Sequence, residues 1–160
     1  MILILLLLSI ATIGALAVTC LAAFAVLATN HILWSLFSVP FGLFTLTMHL
    51  FYFIGTGSEV KAHLAREHVA PETRLEILNE VRCIKKRAFP LVAAAMLLLM
   101  FTFVTGGMAG MGLAPRWLHS VLGAMSVPLS LVTLTNAHLT MRRNFFLILR
   151  VTGVKGRVIP

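Results

Sequence analysis

The stretch GSEVKAHLAREHVAPETRLEILNEVRCIKKR, residues 57–87, decides the fold. It contains all five acidic residues of the chain and seven of its thirteen Lys and Arg residues. Apolar sequence flanks it on both sides. Each flank is long enough to cross a bilayer twice, because one crossing needs about 20 mostly apolar residues. We therefore predict an all-α integral membrane protein with four transmembrane helices.

The predicted spans are residues 2–28, 32–54, 89–111 and 117–141, in a single transmembrane domain that covers the chain. Residues 57–87 are predicted to form a helical hairpin outside the membrane, with a short first helix at 59–68 and a second that begins at Pro71. The basic tail, residues 142–160, is expected to lie along the inner membrane surface. The first span has no basic residue before it, which favours a retained span over a signal peptide.

The distribution of charge predicts the orientation. The net charge is +8, and every Lys and Arg except Arg116 lies in the 57–87 stretch or after residue 140. Basic residues that nearly all fall on one side of the predicted spans follow the positive-inside rule, and this distribution argues against a nucleic-acid partner. It places both termini and the hairpin in the cytoplasm, in what we interpret as a bacterial inner membrane, with membrane lipid as the surrounding partner. Cys20 and Cys83 form no recognisable motif, so no disulfide framework is expected.

An internal repeat relates the second and fourth spans. Span two reads HILWSLFSVPFGLFTLTMHL from His31, and span four reads HSVLGAMSVPLSLVTLTNAHL from His119. Both contain His, Ser-Val-Pro, Thr-Leu-Thr and His-Leu in that order. We therefore predict two pseudo-repeated hairpins packed as a four-helix bundle, in which equivalent residues of the two parallel spans face each other. This pairs His49 with His138 near the inner side and His31 with His119 near the outer side.

The register of these histidines differs between the two spans. Eighteen residues, or five helical turns, separate His31 from His49, whereas nineteen separate His119 from His138. The extra residue would rotate the second histidine of span four by about 100°. A π-bulge near Asn136 would restore the register. Kinks at Pro40 and Pro128 could also adjust it.

Paired histidines inside a membrane suggest a metal cofactor. Two neutral imidazoles that face each other across a bundle suit the two axial positions of a haem iron. Arg142 and Arg143 follow His138 and are candidate partners of the haem propionates. Nearby threonines are expected to hydrogen-bond the backbone or a free imidazole nitrogen: Thr45, Thr47, Thr133 and Thr135. The alternative is that histidines near span ends lie in the membrane interface and meet water, which applies most directly to His31 and His119.

The histidine positions resemble those of the four-helix membrane cytochromes b, whose second and fourth helices also carry two haem-ligating histidines each. The spacing here is about one turn wider than in that family. The resemblance implies a b-type haem with His49 and His138 as iron ligands, and it leaves open a second haem at His31 and His119. It also implies a membrane subunit of an oxidoreductase complex, which passes electrons between the quinone pool and a partner protein.

Two other classes of function compete with this interpretation. The chain could be a non-catalytic accessory subunit of a respiratory or photosynthetic complex, with histidines that are structural or bind another pigment. A transporter or a metal-dependent lipid enzyme is less well supported, because the chain has no Asp and no predicted span contains Glu.

Overall fold

The computed structural model describes residues 1–24, 30–67 and 69–153, and within them the chain is entirely helical outside short turns. The helices are α1 (Ile2–Ala23), α2 (His31–Arg66), α3 (Pro71–Gly110) and α4 (Arg116–Gly153). All four are long and apolar enough to cross a membrane. The all-helical class and the number of candidate spans are thereby confirmed. The last residues of the first predicted span, 25–28, lie outside the described residues.

Local sequence explains where the helices begin. The Asn30 side chain accepts a hydrogen bond of 3.0 Å from the Ile32 N–H and caps α2. Pro71 occupies the first turn of α3, where its missing N–H costs nothing, and Glu72 follows in the same turn, where a negative charge is favourable.

The charged stretch is helical on both sides of residues 67–70, but its first helix is not the separate short helix predicted at 59–68. α2 continues without a break from its apolar part to Arg66, and α3 runs from Pro71 through Pro90 to Gly110. At 1.5 Å per residue, α3 is about 60 Å long, roughly twice the thickness of the hydrocarbon core. A helix can continue unbroken from the bilayer into water, because all of its backbone hydrogen bonds lie within the helix.

The tail also differs from its prediction. Instead of lying along a membrane surface, it continues α4 as far as Gly153, and residues 154–160 lie outside the described part of the chain. Leu147 and Val151 are buried in the same apolar cluster as Ile77 and Val81 of α3. These contacts bury apolar surface that a tail lying on the membrane would leave without protein partners.

The charged parts of α2, α3 and α4 therefore pack as one unit, here called the charged bundle (residues 57–66, 71–87 and 142–153). Among the described residues, the backbone of α1 comes close to those of α2 and α4 but not to that of α3, and α2 comes close to α4 across the bundle. Ser9 of α1 lies beside His49 of α2. Since the two helices are antiparallel, Ile2 is about level with Thr56, next to the charged bundle.

Candidate functional site

The structure brings His49 of α2 and His138 of α4 together inside the bundle. Their ring centroids lie 5.4 Å apart, and the two ring planes are nearly perpendicular at 88°. His49 is fully buried, at 0% exposure, whereas His138 is half-buried. We refer to these two residues as the histidine pair.

Ser9 of α1 lies between the two imidazoles. Its Oγ is 3.0 Å from Nε2 of His138 and 3.5 Å from Nε2 of His49. The two Nε2 atoms therefore converge on one point from opposite helices, and a third helix supplies the group at that point. Ser9 was not among the predicted site residues. The signal for it is slight: one hydroxyl residue, three positions before Thr12, in an otherwise apolar run.

The hydrogen bond on the other nitrogen fixes the chemistry of His49. Its Nδ1 is 2.8 Å from the Thr45 carbonyl oxygen, which can only accept, so Nδ1–H is the donor. A neutral imidazole then presents a lone pair at Nε2. Such a bond to the second nitrogen is typical of metal-ligating histidines. A threonine partner was predicted, but the contact uses the backbone of Thr45, because the Thr45 hydroxyl lies 2.8 Å from that of Thr12.

The Ser9 hydroxyl has one proton and cannot donate it to both the Leu5 carbonyl oxygen and His49 Nε2. The hydroxyl is 2.7 Å from the Leu5 carbonyl oxygen and donates to it. In that state His138 Nε2–H donates to Ser9, and the lone pair of His49 Nε2 faces no donor. Turning the proton to His49 would give a bond of 3.5 Å, which is long for a hydrogen bond. The long contact with Ser9 is therefore the one hydrogen bond that His49 Nε2 has among the described residues.

A ladder of hydroxyl contacts joins α1 to α2 beyond Ser9. The Oγ1 atoms of Thr12 and Thr45 are 2.8 Å apart, and the hydroxyl oxygens of Thr19 and Ser38 are 2.9 Å apart. Thr12, Thr45 and Ser38 are almost completely buried. Paired hydroxyls of this kind hold two apolar helices in one register, whereas apolar packing alone would allow several registers.

A second polar cluster lies where the charged bundle meets the apolar part of the bundle. Asn144 Nδ2 donates to Thr56 Oγ1 over 2.7 Å, and the Thr56 hydroxyl donates to the Tyr52 carbonyl oxygen over 2.7 Å. Asn144 and Tyr52 are only 2% and 5% exposed. This cluster fastens α4 to α2 one to two turns beyond the histidine pair.

The structure does not bring His31 and His119 together. His119 is half-buried against α3, where its Nδ1 lies 3.0 Å from the Thr102 carbonyl oxygen and its ring covers Gly106. His31 begins α2 and is partly exposed. Among the described residues, no hydrogen bond or ring contact joins the two.

The extra residue in α4 explains this difference. α4 is α-helical through Asn136, so the predicted π-bulge is absent. The rotation of about 100° over nineteen residues is therefore retained. It turns His138 toward α1 and α2 while His119 faces α3.

Arg142 and Arg143 lie on the exposed surface at the start of the charged bundle. Arg143 lines a cleft of about 210 Å³ with Glu80 and Arg150, on the side of α4 that faces α3. No contact with the histidine pair is present among the described residues, so a role beside haem propionates stays a prediction.

The donor set limits which metal could bind. Among the described residues, no group of three or more His, Cys, Asp or Glu side chains comes together. Structural and catalytic zinc sites need three or four protein ligands. Two imidazoles suit a metal that brings its remaining ligands with it, as haem iron does. The donors of the histidine pair therefore fit haem iron, provided that the Ser9 hydroxyl leaves the point between them.

Comparison of the chain with protein-family models, with curated proteins and with solved structures finds no match. The function must therefore be argued from the site.

Proposed function

We propose that this protein is a membrane electron-transfer subunit that holds one b-type haem between α2 and α4, with His49 and His138 as the iron ligands. One observation carries the proposal: the Nε2 atoms of two buried histidines, from helices that face each other, converge on a single point. The proposal is limited to the inner pair, because His119 is engaged with α3.

The residues around the pair would prepare it for a metal. The Thr45 carbonyl holds the His49 ring and leaves its Nε2 lone pair directed into the bundle. Leu134 and Ala137, both 1% exposed, keep water away from α4 at this depth. A haem bound there supplies one-electron transfer, and the polarity and hydrogen bonds of its surroundings tune its potential.

The location of the site supports a role between the membrane and a soluble partner. The histidine pair lies in the apolar part of the bundle, and from His49 the helix α2 extends about 26 Å to the end of the charged bundle at Arg66, at 1.5 Å per residue. We propose that electrons pass between the quinone pool and a partner protein of a redox complex. The excess of basic residues at this end supports a cytoplasmic charged bundle in a bacterial inner membrane.

An accessory, non-catalytic membrane subunit is the second candidate. The contacts of Ser9 with both histidines favour it, because they join three helices without any cofactor. In that case the histidine pair is a structural cross-link of the bundle.

A reduced-minus-oxidised absorption spectrum of the detergent-purified protein separates the two. We expect the α-band and Soret band of a b-type haem in the wild type, and their loss in His49→Ala and in His138→Ala. The matched controls are His31→Ala and His119→Ala, which should retain the bands. A folded wild type without bands, or bands that survive both inner substitutions, would support the accessory role instead.

A further inference from the structure

We infer that α1 is a gate of the histidine pair and that Ser9 is the residue that holds it closed. This inference rests on the proposed function, because it describes how the same site becomes available to haem. Its basis is the position of the Ser9 Oγ, 3.0 Å and 3.5 Å from the two nitrogens that would bind the iron.

A hydroxyl and an iron atom cannot both occupy that point. Metal–imidazole bonds are about 2 Å long, so iron between the two Nε2 atoms would lie where the Ser9 oxygen now lies. A porphyrin ring also needs a flat space around the iron, and Ser9 belongs to a helix that crosses this space. Binding therefore requires α1 to move away from the histidine pair.

α1 is the helix that can move at least cost. α2, α3 and α4 are fastened to one another in the charged bundle through residues such as Val60, Val81 and Leu147, and α1 joins the same apolar cluster only at its first turns, through Leu5. Among the described residues, the backbone of α1 also does not come close to that of α3. Its outer face consists of exposed apolar side chains that remain in lipid when the helix shifts: Leu3, Ile4, Leu7 and Ile10.

The side of entry follows from the burial of the two histidines. His49 is fully buried, but His138 is half-buried and touches α1. The histidine pair is therefore closest to the outer surface of the bundle on the side of α1 and α4. A haem would enter from this side when α1 moves outward.

The hydroxyl ladder indicates how the gate is held. Ser9, Thr12 and Thr19 each contact a polar side chain of α2. Only Ser9 touches the atoms that would bind iron, so its hydroxyl stabilises the closed arrangement and competes directly with the metal. Thr12 and Thr19 hold the same helix without touching the histidine pair.

A disulfide lock tests the movement of α1. In a background with Cys20→Ala and Cys83→Ala, the pair Thr12→Cys and Thr45→Cys replaces hydroxyls whose oxygens are 2.8 Å apart, within reach of a disulfide. Haemin is added to the haem-free protein in detergent, and the Soret band is recorded with the lock oxidised and reduced. We expect binding only in the reduced form. Equal binding in both forms would overturn the gate and leave the haem proposal standing.

Substitution of Ser9 tests the competition. Ser9→Ala removes the hydroxyl from the closed arrangement, so haemin should bind about tenfold more tightly, the equivalent of one or two net hydrogen bonds. Ser9→Thr keeps a hydroxyl and should bind like the wild type. Thr19→Ala removes a ladder contact away from the histidine pair and should also change little.

Two further measurements distinguish a failure of the gate from a failure of the haem proposal. In haem-free protein, Ser9→Ala should lower the thermal unfolding midpoint more than Thr19→Ala does, because only Ser9 joins three helices. If Ser9→Ala binds haemin no more tightly than the wild type, the competition is refuted. If neither the wild type nor the reduced lock binds haemin, the proposed function fails and the gate fails with it.

Discussion

Replacing Gly106 by alanine should separate the two possible roles of His119. A Cβ at Gly106 would lie 2.8 Å from Cε1 of His119, which is closer than such atoms approach, and 3.1 Å from its Nδ1, which is a tight contact. The ring must therefore move and loses its 3.0 Å hydrogen bond to the Thr102 carbonyl. Gly107 is the matched control, because a Cβ there meets no atom within 4 Å.

The magnitude follows from comparing the two alanine variants. Both gain helix propensity, up to about 1 kcal/mol, so this contribution cancels in the difference. Gly106→Ala alone loses the His119 hydrogen bond and its packing, about 1–2 kcal/mol. We therefore expect Gly106→Ala to be less stable than Gly107→Ala by about that amount, measured by reversible unfolding in mixed micelles.

A double substitution identifies the cause of the difference. With His119→Ala in both backgrounds, the clash is gone and the two glycine variants should become equally stable. Equal stability of Gly106→Ala and Gly107→Ala with His119 present would refute the packing of His119 on α3. It would also reopen the outer haem, because His119 would then be free to face α2.

Other substitutions test the contacts that fasten the helices. Asn144→Ala should cost about 1–3 kcal/mol in the same unfolding assay, since it breaks a buried hydrogen bond of 2.7 Å, whereas Asn136→Ala, whose bond to Arg87 is exposed, should cost less than about 1 kcal/mol. A similar loss of stability in both variants would contradict the burial of the Asn144 hydrogen bond. Arg150→Ala removes an exposed ion pair with Glu76 of 3.1 Å and should cost less than about 1 kcal/mol. That effect should shrink in high salt, and a salt-independent loss would point to packing instead.

The sequence predicts the helices well because the bilayer imposes one simple requirement on them. Long apolar runs on both sides of the 57–87 stretch can only cross a membrane as helices, and the structure has four suitable helices. The ends are less predictable. Charge marks where a helix leaves the apolar part but does not stop it, so α2 and α4 continue as far as Arg66 and Gly153.

The candidate site is only partly readable from the sequence. The pairing inferred from the repeat predicts a contact between His49 and His138, and their ring centroids lie 5.4 Å apart. It fails for His31 and His119, because the extra residue in α4 rotates one histidine relative to the other. Ser9 belongs to α1, outside the repeated spans, and only the packing of a third helix places its hydroxyl at the histidine pair.

The most direct test of the central claim is the ratio of haem to polypeptide. The protein is purified in detergent from cells supplied with a haem precursor. A pyridine haemochrome assay then counts b-type haem against the polypeptide concentration. The histidine pair predicts one haem per chain, since His119 packs on α3 and the outer histidines form no pair. A ratio of two would contradict the limit to a single site, and a ratio of zero in folded protein would contradict the cytochrome proposal itself.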